Sequence, residues 1–289
     1  MAGLLEKSVN ASIAVAMLAF FMPTVYAAEP ARQSNDDPEN LLHYSYSTVF
    51  GSGYYKVGDR SVGILQLPFS IEQRVAGEDG RYGIKWILPV SIGLHSFDLD
   101  DVLEDSDRVS TLSFVPGIEL HFPLPYGWQL RPYAQLGYAF DVSSSSESAT
   151  VYTAGLKARR QFVELEGDRI GLTGGIKGVA AGYNPENANS SSLGYVSAGF
   201  DMQWPLAWRP RGQLTYLGLS LYGNYYYETA RFSNVADRAD DSEREITVAI
   251  ALGFAADQTI LGVPFDRIGI GYKRGDDIRA ILLVTDFPF

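Results

Sequence analysis

Within His43-Tyr44-Ser45-Tyr46-Ser47, alternation along an extended chain puts His43, Ser45 and Ser47 on one face. An imidazole beside a hydroxyl is the arrangement by which a general base takes the proton of a nucleophile. No third residue that would orient the imidazole can be picked out, so nucleophilic catalysis is not the expectation. His95 and Ser96 are neighbours on a strand and face opposite ways. The run Asp98, Asp100, Asp101, Glu104, Asp105 and Asp107 offers oxygen ligands to a divalent cation but lacks the glycine turn of an EF-hand loop. It reads as a solvated acidic loop, as does the segment holding Asp237, Asp240, Asp241 and Glu243. Arg274-Gly275-Asp276 is ordinary hairpin chemistry.

A different chemistry is carried by charges spaced among apolar residues. Glu72, Lys85, Glu119, His121, Arg131, Lys157, Arg159, Lys177 and Arg279 are expected on inward rows of a β wall. There they either pair across strands or line a narrow aqueous path as charged rings do.

The elements that must position them follow from periodicity, which is close to two almost everywhere from residue 42 onward. In YGIKWILPVSIGLHSF, Tyr82, Ile84, Trp86, Leu88, Val90, Ile92 and Leu94 share one face, while Lys85, Ser91 and His95 lie opposite. Twelve strands are expected, at 42–50, 61–74, 82–97, 110–124, 128–142, 150–163, 169–183, 192–206, 213–231, 244–257, 265–274 and 278–289. The connections alternate in length. Residues 51–60, 98–109, 143–149, 184–191, 232–243 and 275–277 form one set, and 76–81, 125–127, 164–168, 207–212 and 258–264 the other. Short turns at one rim and longer loops at the other are what a membrane barrel requires. Aromatic residues then fall into two girdles: Trp128, Trp204, Trp208, Phe122, Phe287 and Phe289 at the turn rim, and Tyr138, Phe140, Tyr225 and Tyr227 at the loop rim.

Composition agrees. Residues 11–28 are uncharged and mostly apolar, follow Lys7 and end at Val25-Tyr26-Ala27, which reads as a secretory signal over 1–27. An exported chain with no cysteine has neither disulfides nor thiol chemistry, and its net charge of -11 gives no footprint for nucleic acid. The later apolar run at 246–256 is too short for a spanning helix. A membrane is therefore expected to be crossed by strands.

The barrel at 42–289 and the closing ILLVTDFPF resemble the β-domains of autotransporters. The 14 or so residues between the expected cleavage site and the first strand leave no passenger, so the chain is most similar to the solitary, passenger-less autotransporter-type barrels of the bacterial outer membrane. That resemblance implies recognition by the barrel assembly machinery through the last strand, where Ile281, Leu283, Thr285, Phe287 and Phe289 form one row read in steps of two. The expectation is an all-β transmembrane antiparallel barrel, with 28–41 a short periplasmic or lumen-plugging segment. It would be non-enzymatic and free of cofactors, a small pore or a structural and surface-interaction barrel. Its partners would be outer-membrane lipid and lipopolysaccharide. The alternative is an outer-membrane hydrolase of phospholipase or protease type.

Overall fold

The computed structural model describes residues 50–57, 60–77, 81–95, 109–141, 148–185, 190–228, 243–260, 263–276 and 278–289, all within the unit Asp36–Phe289. The strands are β1 Gly53–Val57, β2 Arg60–Arg74, β3 Gly83–His95, β4 Val109–Phe114, β5 Gly117–Pro123, β6 Trp128–Asp141 and β7 Ser148–Val163. They continue as β8 Gly171–Pro185, β9 Ser191–Pro205, β10 Thr215–Glu228, β11 Arg244–Ile260, β12 Val263–Gly275 and β13 Ile278–Val284. Every pairing is antiparallel, and β13 returns to β1, so the sheet closes on itself. β4 and β5 both bridge β3 to β6 and are two halves of one strand, which makes twelve staves.

That strand breaks at Val115-Pro116 because proline has no N–H for the ladder. The freed carbonyls find other donors: Gln135 Nε2 donates to Val115 O at 3.0 Å, and Leu136 N–H to Pro116 O at 3.0 Å. Gly137 lies beneath the break, where a Cβ would stand 2.1 Å from Phe114 O.

The two faces differ as alternation demands. Along β11, Ile246, Val248 and Ile250 are exposed while Glu245, Thr247, Ala249 and Ala251 are buried. The same outward apolar row recurs as Leu136, Tyr138 and Phe140 on β6 and as Ile268, Ile270 and Tyr272 on β12. Such a belt is unfavourable in water, by about 25 cal/mol per Å² of apolar surface, and is suited to hydrocarbon. Inside, three apolar clusters fill part of the barrel: one around Phe50, Tyr55 and Ile64, one around Val115, Val151 and Tyr183, and one around Val179, Leu193 and Tyr226.

Two expected elements are corrected. The expected strand at 42–50 falls almost wholly outside the described residues, and the first stave is Gly53–Val57, inside the stretch 51–60 expected as a loop. A five-residue strand flanked by glycines carries too little alternation to stand out. The expected 258–264 turn shrinks to 261–262, because β11 runs on to Ile260 through a register shift between Gly253 and Gln258.

Four of the turn-rim connections contain a glycine at positive φ: Gly77, Gly127, Gly167 and Gly212. Gly212, at φ 78, closes a 3-10 turn over Pro210–Gly212. Gly212→Ala is expected to cost about 1–2 kcal/mol from left-handed backbone strain alone, since a Cβ there meets no atom within 4 Å. The urea midpoint of tryptophan fluorescence checks it; an unchanged midpoint would contradict the assigned turn.

Candidate functional site: the charged lumen

Alternation places the inward charges, and register brings them into two groups. Glu72 on β2, Lys85 on β3 and Glu119 on β5 lie directly opposite one another, with alternating sign. Arg131 on β6, Lys157 on β7 and Lys177 on β8 form a second row of one sign. Like charges side by side are unfavourable, and the two groups relieve each other. Glu119, only 4% exposed, accepts from Lys157 Nζ at 2.8 Å and lies 2.7 Å from His121 Nε2. Gln129 Oε1 accepts from Arg131 at 2.7 Å and from Arg159 at 3.0 Å. Lys177 Nζ lies between the rings of Tyr195 and Phe289, 5.5 Å from each centroid, where the π faces stabilise its charge.

Eight of the nine charged residues expected inside are on lumen-facing positions. Arg279 is the exception: it is exposed on the outer face in phase with Ile281 and Leu283, while Ile278, Ala280 and Leu282 point inward. The alternation that put Ile281 outward required this placement for Arg279 as well.

Two further ion pairs were missed. Asp201 on β9 is fully buried, and its Oδ1 accepts from Arg267 Nη1 at 2.7 Å and from Ser220 Oγ at 2.6 Å, while Gln203 Nε2 donates to Oδ2 at 2.9 Å. The Tyr216 ring lies over Gly253, opposite Arg267 in register, where a Cβ would stand 2.0 Å from it, and the guanidinium passes over Gly218, where a Cβ would stand 3.4 Å from Arg267 Nη1. Glu245 Oε2 accepts from Lys273 at 2.9 Å, Asn224 at 2.9 Å and Tyr226 at 3.0 Å. A sequence signal for all four existed. Each sits one residue from an outward apolar position, such as Phe200, Ile246, Ile268 or Tyr272.

The turn-rim end of the lumen holds the least expected feature. β13 ends at Val284, and Thr285–Phe289 leave the wall and turn inward. Past the Arg267 N–H bond to Thr285 O at 3.4 Å, Pro288 has no N–H to give, and Phe289 N–H bonds back to Phe287 O at 2.9 Å in a γ-type turn. Phe287 and Phe289 are 7% and 2% exposed. Their rings lie 5.0 Å apart, and Tyr222 meets Phe289 edge-on at 6.1 Å. The expected outward row is corrected accordingly: Ile281 and Leu283 keep to it, Thr285 stands at the exit, and Phe287 and Phe289 belong to the interior and not to the turn-rim girdle.

Gly175 explains why they fit. It faces Gly199 in register, and a Cβ at Gly175 would stand 2.4 Å from Phe289 Cβ. Two glycines opposite each other hollow the wall, and Phe289 occupies the hollow on the Gly175 side. The glycine-rich GLTGGIKG, surprising inside a strand, was the available sign of a close approach. Above the segment is a cavity of about 290 Å³ lined by Tyr133, Lys157, Lys177, Tyr222, Lys273 and Asp286 among others.

His43, Ser45 and Ser47, the acidic residues at 98–107, and Asp237, Asp240 and Asp241 lie outside the described residues. Among the described residues no group of three or more His, Asp or Glu could hold a metal ion. No helix among them is long and apolar enough to cross a membrane, which leaves crossing by strands untouched.

No family model matches the chain, and no curated protein matches it. Among solved structures it is similar to the β domain of the Bordetella autotransporter BrkA, at 13% identity and a TM-score of 0.49, over 81% of this chain and 96% of that chain. At that level of likeness, the closed antiparallel barrel is established by the strand pairing of this chain itself.

Proposed function

We propose that this chain is a non-enzymatic barrel of the bacterial outer membrane that works closed, as a membrane-anchored structural and surface-interaction protein and not as a diffusion pore. The reading rests on one observation: Phe287 and Phe289 are buried inside the wall, against Gly175, Lys177 and Tyr222. Aromatic side chains buried in this way gain dispersion and lose water, so opening the lumen there costs free energy. An even number of staves, an outward apolar belt and exposed tyrosines at the loop rim support a place in an outer membrane. In this reading the rim at which β3 and β4, and β10 and β11, are joined by the longer connections of the sequence is the one that faces out of the cell.

Conductance of the refolded chain in a planar bilayer tests this. The parent chain is expected to be silent, and Phe287→Ala with Phe289→Ala is expected to give resolved current steps. Steady conductance by the parent would overturn the closed reading and restore the pore.

A further inference from the structure

The outer face carries a row of cations that the lumen does not explain. Lys56 on β1 and Arg274 on β12 each lie directly opposite Arg279 on the strand between them. All three side chains are exposed, in phase with the outward apolar residues of their strands. Neighbouring strands are about 4.8 Å apart, so three positive side chains stand abreast on one surface. Like charges directly opposite destabilise a sheet. Among the described residues, none of the three is in an ion pair. The exposed carboxylates Asp276 and Glu243 lie beyond the row, toward the loops.

What lies on the other side of the row decides what it is for. One two-residue step toward the turn rim, about 7 Å, Tyr54, Ile281 and Tyr272 stand in register. The next step brings Leu283 and Ile270, both exposed. Cations, then tyrosine, then aliphatic side chains is the order met along a lipid from its headgroup into its chains. A soluble anion would use only the first layer.

We infer that Lys56, Arg274 and Arg279 form a binding site for the phosphate groups of an acylated, phosphorylated lipid of the outer leaflet, whose chains lie along Ile281, Ile270 and Leu283. This rests on the reading that the barrel sits in a membrane with its loop rim outward. The site gives the row its counter-charge, and it anchors the barrel at a fixed depth on the seam where its first and last strands meet.

The test uses the full chain refolded into phosphatidylcholine vesicles, with and without a bisphosphorylated, acylated glycolipid, and reads lipid binding together with the thermal midpoint. The parent is expected to prefer the glycolipid and to melt about 3 °C or more higher in its presence. The triple variant Lys56→Gln, Arg274→Gln, Arg279→Gln is expected to bind it about a hundred-fold more weakly. In phosphatidylcholine alone the same variant is expected to be at least as stable as the parent, because its row no longer repels itself. Arg169→Gln, an exposed cation at the turn rim, is expected to change neither result. Absence of any glycolipid preference in the parent, or equal binding by parent and triple variant, overturns the inference. An equal shift from inorganic phosphate alone overturns the lipid and leaves an anion site. A chain that stays fully open to protease on vesicles fails to insert, which defeats the membrane reading itself and this site with it.

Discussion

Arg267→Met is expected to destabilise the barrel by about 3–5 kcal/mol, because it leaves the fully buried carboxylate of Asp201 without its cation. Adding Asp201→Leu is expected to recover most of that loss. Two apolar side chains can replace a buried pair at little net cost, whereas one unpaired charge cannot be tolerated there. About 1 kcal/mol should remain unrecovered, since Ser220 and Gln203 both donate to Asp201 and lose their acceptor. Urea midpoints of the two variants and the parent decide the matter. If the single variant lost less than about 1 kcal/mol, the pair would be solvated and the lumen wetter than its packing implies.

Gly175→Val is expected to turn a silent barrel into a conducting one. The new Cβ would sit 2.4 Å from Phe289 Cβ, well inside contact distance, and valine's branches would fill the rest of the hollow. The Thr285–Phe289 segment must then leave, while the wall loses nothing, because valine suits a strand interior better than glycine. The variant should fold with undiminished strand content and show current steps in the assay where the parent shows none. Gly178→Val on the same strand is the control, since a Cβ there meets nothing within 4 Å. Silence from Gly175→Val with the barrel intact would show that something other than Phe289 closes the lumen.

Where one face is oily and the other mixed, the chain could be read directly: β3, with Trp86 and Ile92 outward and Ser91 inward, is the clearest case. Eight inward charges were legible for the same reason, because a charge at alternate positions within an apolar row has only the lumen to enter. Asp201, Glu245, Arg267 and Lys273 obey that rule too and could have been found by it. Two features could not. The strand Gly53–Val57 is only five residues long; one partner, Arg60–Ile64, adjoins it, but the other, Ile278–Leu282, lies at the far end of the sequence. Steps of two continue through Asp286 and Pro288 as if nothing happened, so no local pattern separates a strand end from a chain turning inward. That turn depends on a hollow made by Gly175 and Gly199, two strands that meet the segment only in three dimensions.

β1 is the clasp of the ring. Five residues join a fifteen-residue β2 to the end of the sheet, and below Gly53, among the described residues, Ser52 carries the join onward, its hydroxyl exchanging bonds with Gln66 N–H at 2.8 Å and Gln66 O at 3.0 Å while its carbonyl accepts from Leu283 N–H at 2.9 Å. Contacts between the two ends of a chain are the last to reward the entropy of closing it, so this clasp should form last on folding and part first on unfolding. Amide exchange would then be fastest at Tyr54 to Lys56 and slowest around β7 and β8, whose ladder is among the longest in the sheet. The barrel would behave in time as a sheet that rolls and latches, with one edge always nearest to release.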